Sequence, residues 1–180
     1  MEFKRCEIEG LVIIEPTVFK DDRGYFYEAY NAIDFQNNGI PDVFVQDNES
    51  LSQKNVLRGL HFQKPPYGQA KLIRVIQGKV LDVAVDLRKN STTYGKHFTL
   101  ELSAENKKMF YIPAGFAHGF LTLEDDTIFS YKCSNLYNKD AEDSLSWDDK
   151  DLNIDWNVDN PILSEKDKRA QNFNEFITPF

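Results

Sequence analysis

The sequence of 180 residues has few of the features that define several large protein classes. It contains only two cysteines, Cys6 and Cys133, and they form no metal-ligand spacing. No apolar run is long enough to span a bilayer, and the residues after Met1 lead into no apolar signal core. We therefore expect a cytoplasmic protein with no membrane segment, in which both thiols are free and buried.

Positive charge is also scarce. The chain carries 21 Lys and Arg against 29 Asp and Glu, a formal net charge of -8. This balance argues against a nucleic-acid surface, which would be basic. An anionic ligand would need a local cluster of Arg and Lys. The apolar fraction of 41% and the charged fraction of 28% are those of a soluble globular protein, and the length predicts one domain over residues 1–180.

Helix signals are few, and short strand-like segments separated by turn residues dominate. Asn31 with Asp34 resembles a capping box that opens a short helix closed by Gly39, and Ser164 with Asp167 resembles a second one. The predicted strands cover residues 11–16, 25–30, 43–48, 71–76, 79–87, 98–102, 108–112, 116–121 and 127–133. Such a pattern predicts a β-sandwich, jelly roll or small barrel, with a ligand site in the mouth between the sheets.

One short stretch concentrates chemically useful side chains: Arg58, His61 and Lys71 lie within fourteen residues. Pro65 and Pro66 form part of a turn between the histidine and the lysine, so we expect these two on neighbouring strands. A base beside a cation suits proton abstraction next to a carbonyl, because the cation meets the developing oxyanion. The alternative is a buried, hydrogen-bonded histidine and a surface lysine.

Gln77 and Gly78 predict a tight turn between two strands. If they form a two-residue hairpin loop, Asp82 becomes a diagonal neighbour of Lys71 on one face of the sheet. A carboxylate there would keep the lysine charged and aimed. The alternative for Asp82 is a solvated charge at a sheet edge.

The histidines do not have the spacing of a metal site. Metal-binding jelly rolls usually present two histidines two residues apart, because such residues point to the same side of a strand. Gln63 stands two residues after His61, and neither His97 nor His118 has a histidine partner at that spacing. We therefore predict that no metal is bound and that side chains carry the acid–base chemistry.

Taken together, the motifs resemble those of the dTDP-4-dehydrorhamnose 3,5-epimerase family of the cupin superfamily. The matching blocks, in family order, are Asp22-Arg23-Gly24 with Phe26 and Glu28; Gln46-Asp47-Asn48; Val56 to Gln63; Gln69-Ala70-Lys71-Leu72; Gly78 with Asp82 to Asp86; Ile112-Pro113 with Gly115 to Phe120; Tyr131-Lys132-Cys133; and Leu163-Ser164 with Lys166-Asp167. Eight matching blocks in the family order make the resemblance to this family specific. Departures at Thr92 and at His97-Phe98 touch no expected catalytic position.

The resemblance implies a cupin jelly roll, or double-stranded β-helix, with a few short helices. It implies an isomerase that inverts C3 and C5 of dTDP-4-dehydro-6-deoxy-D-glucose through enolates, giving dTDP-4-dehydro-L-rhamnose for dTDP-L-rhamnose and cell-surface polysaccharide biosynthesis. Family members are homodimers with strands crossing between subunits, and they use no cofactor and no metal.

The resemblance also implies roles for individual residues. It makes His61 the base with Asp167 as its orienting partner, Lys71 the cation beside O4 with Asp82 in support, and Tyr131 the acid on the opposite face. The residues that it implies for substrate binding are Arg23, Glu28, Gln46, Asp47, Asn48, Arg58, His118, Tyr137, Glu142 and Lys166. Of these, Tyr137 would stack on the thymine ring, because any base offers a π-face to an aromatic side chain.

Three other functions stay open at this stage. A relative that inverts only C3 or only C5 would use the same base, lysine and acid. A non-catalytic cupin that binds nucleotide sugars would need no base opposite an acid. A metal-dependent cupin isomerase or dioxygenase would need the second histidine that the chain lacks.

Overall fold

The computed structural model describes residues 1–180, and its strands form two antiparallel sheets and a separate hairpin. In chain order the strands are β1 (Glu2–Arg5), β2 (Val12–Glu15), β3 (Phe19–Asp21), β4 (Gly24–Phe26), β5 (Gln46–Ser52), β6 (Leu57–Gln63), β7 (Lys71–Gln77), β8 (Lys79–Asp86), β9 (His97–Ser103), β10 (Met109–Ile112), β11 (Phe116–Thr122), β12 (Thr127–Cys133) and β13 (Glu142–Ser144). One sheet has the order β1-β2-β10-β7-β12-β5, and the other has the order β13-β6-β11-β8-β9. The predicted all-β jelly roll is confirmed.

The predicted pairing of β7 with β8 is wrong. β7 pairs with β10 and β12 in the six-stranded sheet, whereas β8 pairs with β9 and β11 in the five-stranded sheet. Gly78, at φ +77°, turns the chain from one sheet to the other instead of closing a hairpin. Gln77 and Gly78 are compatible with a hairpin and with a crossing between sheets. The strands with which β7 and β8 pair, which are distant in sequence, decide which of the two connections forms.

The side chains predicted to share a face do meet, but across the interior between the two sheets. Ile73 and Val75 of β7 and Val80 and Ala84 of β8 belong to one buried cluster. Alternation along each strand sends every second side chain to this interior. Lys71 and Asp82 follow the same alternation and therefore point toward the same space from opposite sheets.

Two further clusters cover the outer faces of the sheets. The C-terminal part of the chain packs on the five-stranded sheet, where Trp156 is buried against residues such as Leu57 and Val83. The α-helix α1 (Ala32–Asn37) packs Phe35 beside the six-stranded sheet. These outer layers leave the interior between the sheets as the place for a ligand.

The predicted helix caps have different outcomes. Asn31 caps α1, since its side chain accepts from the backbone N–H groups of Ile33 and Asp34. The second capping pattern gives only a 3-10 turn, Asp167–Arg169, followed by another at Phe173–Glu175. None of these helices has the length and apolar character needed to cross a membrane.

Candidate active site

A cavity of about 440 Å³ opens between the two sheets. Strands β6, β7, β11 and β12 and the segment before Asp167 contribute its walls. The lining residues are Val56, Leu57, Arg58, His61, Lys71, His118, Phe120, Phe129, Tyr131, Ile162, Leu163, Ser164 and Asp167. All four residues predicted to be catalytic therefore line one cavity.

A β-bulge in β6 brings Arg58 and His61 to the same side. Residues three apart on a regular strand point to opposite faces. In β6, however, His61 is opposite His118 while Arg58 is opposite Phe120, so two residues of β6, Gly59 and Leu60, match the single residue Gly119 of β11. Gly59 lies in this bulge at φ +129°, where a Cβ atom would come within 2.8 Å of the His118 carbonyl oxygen. Only glycine fits here.

His61 and Asp167, 106 residues apart, form a hydrogen bond. His61 Nε2 lies 2.6 Å from Asp167 Oδ1, and the side chains are 29% and 3% exposed. Because Nε2 is engaged, Nδ1 is the ring nitrogen left for a proton from a ligand. Burial raises the pKa of Asp167, but hydrogen bonds from His61 and Ser164 outweigh it and the pKa falls below its usual value. The carboxylate therefore stays charged at neutral pH.

Lys71 and Tyr131 lie on neighbouring strands of the six-stranded sheet, facing the strand that carries His61. The Lys71 ammonium lies 5.9 Å from the centre of the Tyr131 ring and has no carboxylate within ion-pair distance. Burial lowers the pKa of Lys71, although the charge of Asp82 opposes this shift. Burial raises the pKa of Tyr131, which keeps its hydroxyl protonated at neutral pH.

Asp82 makes its hydrogen bonds to His118 and not to Lys71, the residue that it was predicted to support. Its two carboxylate oxygens lie 3.1 and 2.9 Å from His118 Nε2, and both side chains are buried. Because β7 and β8 belong to different sheets, Asp82 acts on Lys71 only through its charge. Burial lowers the pKa of His118, and Asp82 opposes that shift.

Five of the predicted binding residues form a linked set near the cavity. Glu142 pairs with Lys166 and accepts a hydrogen bond from the Tyr137 hydroxyl at 3.0 Å. Gln46 Oε1 accepts from the Tyr137 backbone N–H at 2.9 Å, and Gln46 Nε2 donates to Asn48. Burial raises the pKa of Glu142, but the contacts with Lys166 and Tyr137 bring it below its usual value.

Of the ten predicted binding residues, only Arg58 and His118 line the cavity itself, and three of the other eight also lie outside the linked set. Arg23 lies on the β3–β4 hairpin, 90% exposed and paired with Asp21. The Glu28 carboxylate accepts a hydrogen bond from Asn31 at the start of α1. Asp47 points to the outer face of β5, because it alternates with Gln46 and Asn48, and it pairs with Lys132.

Two serines that were not predicted as site residues contact residues that were. Ser52 Oγ accepts from Arg58 Nε at 3.2 Å and from Arg58 Nη2 at 3.1 Å. Ser164 Oγ donates to Asp167 Oδ2 at 2.6 Å. Alternation from Gln46 through Asn48 along β5 could have placed Ser52 on the inner face. The capping-box pattern identified Ser164 as a helix cap, but it did not predict the hydrogen bond from Ser164 to the Asp167 carboxylate.

No group of three or more His, Cys, Asp or Glu side chains is arranged to hold a metal ion. The polar side chains that line the cavity are two histidines, each hydrogen-bonded to an aspartate, together with an arginine, a lysine, a tyrosine, a serine and the carboxylate of Asp167. This set can remove a proton, bind an anionic oxygen and donate a proton.

Residues 5–175 match the family model described as dTDP-4-dehydrorhamnose 3,5-epimerase. The chain is 52% identical to the dTDP-4-dehydrorhamnose 3,5-epimerase of Methanothermobacter thermautotrophicus, over 96% of this chain and 95% of that protein. It is 53% identical to the crystal structure of the Elizabethkingia anophelis epimerase, with a TM-score of 0.93 and 97% of each chain covered. The Legionella pneumophila dTDP-6-deoxy-D-glucose-3,5-epimerase, solved in complex with dTDP-4-keto-L-rhamnose, is 46% identical, with a TM-score of 0.92 over 96% of this chain and 93% of that one.

Proposed function

The chain belongs to the dTDP-4-dehydrorhamnose 3,5-epimerase family, and from that membership we propose how its residues carry out the reaction. As an isomerase of dTDP-L-rhamnose biosynthesis, it inverts C3 and C5 of dTDP-4-dehydro-6-deoxy-D-glucose to give dTDP-4-dehydro-L-rhamnose. Residues 1–180 act as one epimerase domain. The arrangement of His61 and Asp167 on one wall, opposite Tyr131 on the facing sheet, is the observation that carries the assignment of roles.

The first step is proton removal next to the ketone. Hydrogens on C3 and C5 are acidic because the C4 carbonyl takes up the electron pair of the broken C–H bond as an enolate. His61 Nδ1 accepts the proton, and Asp167 stabilises the imidazolium through Nε2. A carboxylate in this position also fixes which ring nitrogen is free.

The second step is stabilisation of the charge on O4. Lys71 lines the cavity without a carboxylate partner, so its ammonium is available to an anionic oxygen. A preorganised cation in a site with little water favours the enolate over the ketone, because the charge appears only as the reaction proceeds. His118, held by Asp82, is proposed to bind the sugar beside Lys71.

The third step is protonation from the opposite face. Tyr131 projects from the sheet facing His61 and keeps its proton at neutral pH, so its hydroxyl can protonate the enolate carbon. The carbon is then inverted, His61 carries one extra proton and Tyr131 has lost one. Exchange with solvent restores both groups before the second carbon reacts.

The remaining binding residues are proposed to hold the dTDP part. Arg58 and Lys166 supply the positive charge that a diphosphate needs, and the Tyr137 ring, which is 53% exposed, is proposed to stack on thymine. Glu142, Gln46 and Asn48 would bind the nucleoside or sugar by hydrogen bonds.

We propose a homodimer, which would account for the three predicted binding residues that lie neither on the cavity wall nor in the linked set. The β3–β4 hairpin exposes Phe19 and Phe26 beside Arg23, an apolar surface suited to a second subunit. We propose that the hairpin and Glu28 and Asp47 act at the neighbouring subunit. A cytoplasmic location is also proposed, supported by two cysteines that form no disulfide.

The function is tested with the dTDP-4-keto-6-deoxy sugar in heavy water, using purified protein without added metal. Mass spectrometry and NMR would report deuterium at C3 and C5 and the ring configuration. We expect deuterium and inversion at both carbons. Exchange at one carbon only would indicate a mono-epimerase. Absence of exchange with folded protein would contradict the substrate assignment.

Replacing Lys71 by alanine should lower kcat by roughly 10²–10³-fold, the cost of losing one oxyanion donor. KM should change little, because O4 is uncharged in the bound ketone and gains its charge only as the transition state forms. Steady-state kinetics of Lys71→Ala would be compared with Lys108→Ala, which removes a surface lysine paired with Glu15. If folded Lys71→Ala loses only affinity while kcat is intact, Lys71 is a binding residue.

A further inference from the structure

Ser164 lies on the segment that carries Asp167 to the cavity, and the proposed mechanism gives it no role. Its Oγ donates to Asp167 Oδ2 at 2.6 Å and accepts from the Asp167 backbone N–H at 3.2 Å. The other carboxylate oxygen, Oδ1, bonds His61 Nε2 at 2.6 Å. Each oxygen of the carboxylate therefore has one side-chain donor, and together these contacts fix its plane.

We propose that Ser164 is a positioning residue for the base, acting on the substrate only through Asp167 and His61. The inference rests on the proposed function, because it takes His61 as the group that removes the proton. The 3-10 turn that begins at Asp167 has no side-chain cap from Lys166, the residue before it. The Ser164 hydroxyl thus contacts the first residue of this turn twice, at the Asp167 backbone N–H and at the Asp167 carboxylate.

Burial of the carboxylate explains why a second donor matters. Asp167 is 3% exposed, and a buried charged oxygen without a donor is costly. If Oδ2 loses Ser164, the carboxylate can rotate to seek another donor, and the imidazole bonded to Oδ1 rotates with it. A small misplacement of the base lowers the rate, because proton transfer requires close alignment with the C–H bond.

The second donor also shares the negative charge of Asp167. With Ser164 in place, part of that charge is stabilised at Oδ2, and less of it acts on the imidazolium at Oδ1. Removing the hydroxyl should therefore strengthen proton binding at His61. Glu142 on β13 and His118 on β11 also face His61. Lys71 and Tyr131 face it from the other sheet, and Arg58 lies on the same cavity wall. All of these groups are the same in the wild type and in Ser164→Ala.

The first test is the pH dependence of Ser164→Ala. We expect kcat to fall by about 10-fold or more, with KM within about 2-fold of the wild type, because the loss affects alignment more than binding. The acid limb of the kcat/KM profile should move to higher pH. Ser164→Thr should restore both, since it keeps the hydroxyl and the position is exposed.

A matched control separates this role from simple turn stabilisation. Ser103 Oγ accepts from the Asn106 backbone N–H at 3.0 Å, a comparable contact outside the cavity lining. Ser103→Ala should lower thermal stability without moving the pH profile. If Ser164→Ala also leaves kcat and the pH profile unchanged, the positioning role is wrong.

A double-mutant cycle tests whether Ser164 acts through Asp167. In an Asp167→Asn background, adding Ser164→Ala should cause no further loss of kcat. An additional 10-fold loss there would overturn the proposal, because it would mean that Ser164 acts independently of Asp167.

A measurement without turnover separates this inference from the proposed function. The chain has three histidines, so NMR can follow the His61 imidazole directly, with His61→Gln providing the assignment. We expect the His61 titration to move to higher pH in Ser164→Ala and to return in Ser164→Thr. An unchanged titration would contradict the charge-sharing argument. A wild-type protein without deuterium exchange would instead contradict the function, while the NMR result would still report on Ser164.

Discussion

Replacing His61 by alanine should lower kcat by roughly 10²–10⁴-fold, the range that a positioned acid or base contributes. His61 Nδ1 makes no hydrogen bond to the protein, whereas Nε2 is bonded to Asp167, so removal of the ring removes the proposed proton acceptor. Deuterium exchange at both C3 and C5 should disappear with epimerisation, because neither enolate can form. Steady-state kinetics and the heavy-water assay would measure both effects.

Two further variants make this result interpretable. His61→Ala leaves the buried Asp167 carboxylate with one donor fewer, and this can destabilise the protein. His61→Gln offers an amide N–H to that carboxylate but contains no basic nitrogen, so it should be equally inactive with better stability. His97→Ala, on β9 and outside the cavity lining, should keep wild-type activity. Near-normal turnover of folded His61→Gln would show that another group is the base.

The low pKa of Asp167 sets the pH range in which this pair operates. A carboxyl group whose pKa is lowered in the folded state contributes stability above its ordinary pKa and loses that contribution as the pH falls through the lowered value. The contact between His61 and Asp167 should therefore persist from neutral pH down to strongly acidic conditions. Loss of activity on mild acidification should therefore not reflect protonation of Asp167.

Replacing Tyr131 by phenylalanine should separate proton exchange from inversion. Phenylalanine keeps the ring but cannot donate a proton, so epimerisation should fall by roughly 10²–10⁴-fold. His61 can still remove a proton and return a deuteron to the same face of the enolate. We therefore expect deuterium at C3 and C5 with retained configuration, measured by NMR and mass spectrometry in heavy water.

The control for this prediction is a tyrosine with no role in the cavity. Tyr94 packs its ring on Phe173, away from the cavity, and Tyr94→Phe should leave both exchange and inversion unchanged. If folded Tyr131→Phe loses exchange as completely as His61→Ala does, Tyr131 takes part in proton removal as well. Normal epimerisation by Tyr131→Phe would mean that another group donates on the opposite face.

Several parts of the fold were predictable because they depend on local pattern. The strand predicted over residues 127–133 is β12, Thr127–Cys133, since its β-branched and aromatic residues lie between clear turn signals. Asn31 was identified as the cap of α1, because capping is a contact between a side chain and the nearest backbone N–H groups. Strand ends were less accurate. β5 begins at Gln46 rather than at residue 43, and β4 ends at Phe26.

The site residues were selected largely through the resemblance, and the structure decided how they are arranged. The hairpin prediction placed Asp82 beside Lys71, but the two strands lie in different sheets and Asp82 bonds His118. Arg58 and His61 would diverge on a regular strand, and the bulge at Gly59 brings both to the cavity. Neither feature has a local signal, because both depend on the strands that pair with β6 and β7.

The sequence by itself determined the alternation that builds two amphipathic sheets, the cap of α1, the positions of the turns and the types of residue available for acid–base chemistry. These features depend on residues a few positions apart, and at that range the spacing along the chain determines where the side chains lie relative to one another. The tertiary structure alone decided that Asp167 reaches His61 across 106 residues and that Tyr131 faces His61 from the opposite sheet. Such contacts are set by which strands pair and which sheets face each other, a collective outcome of burying the whole interior.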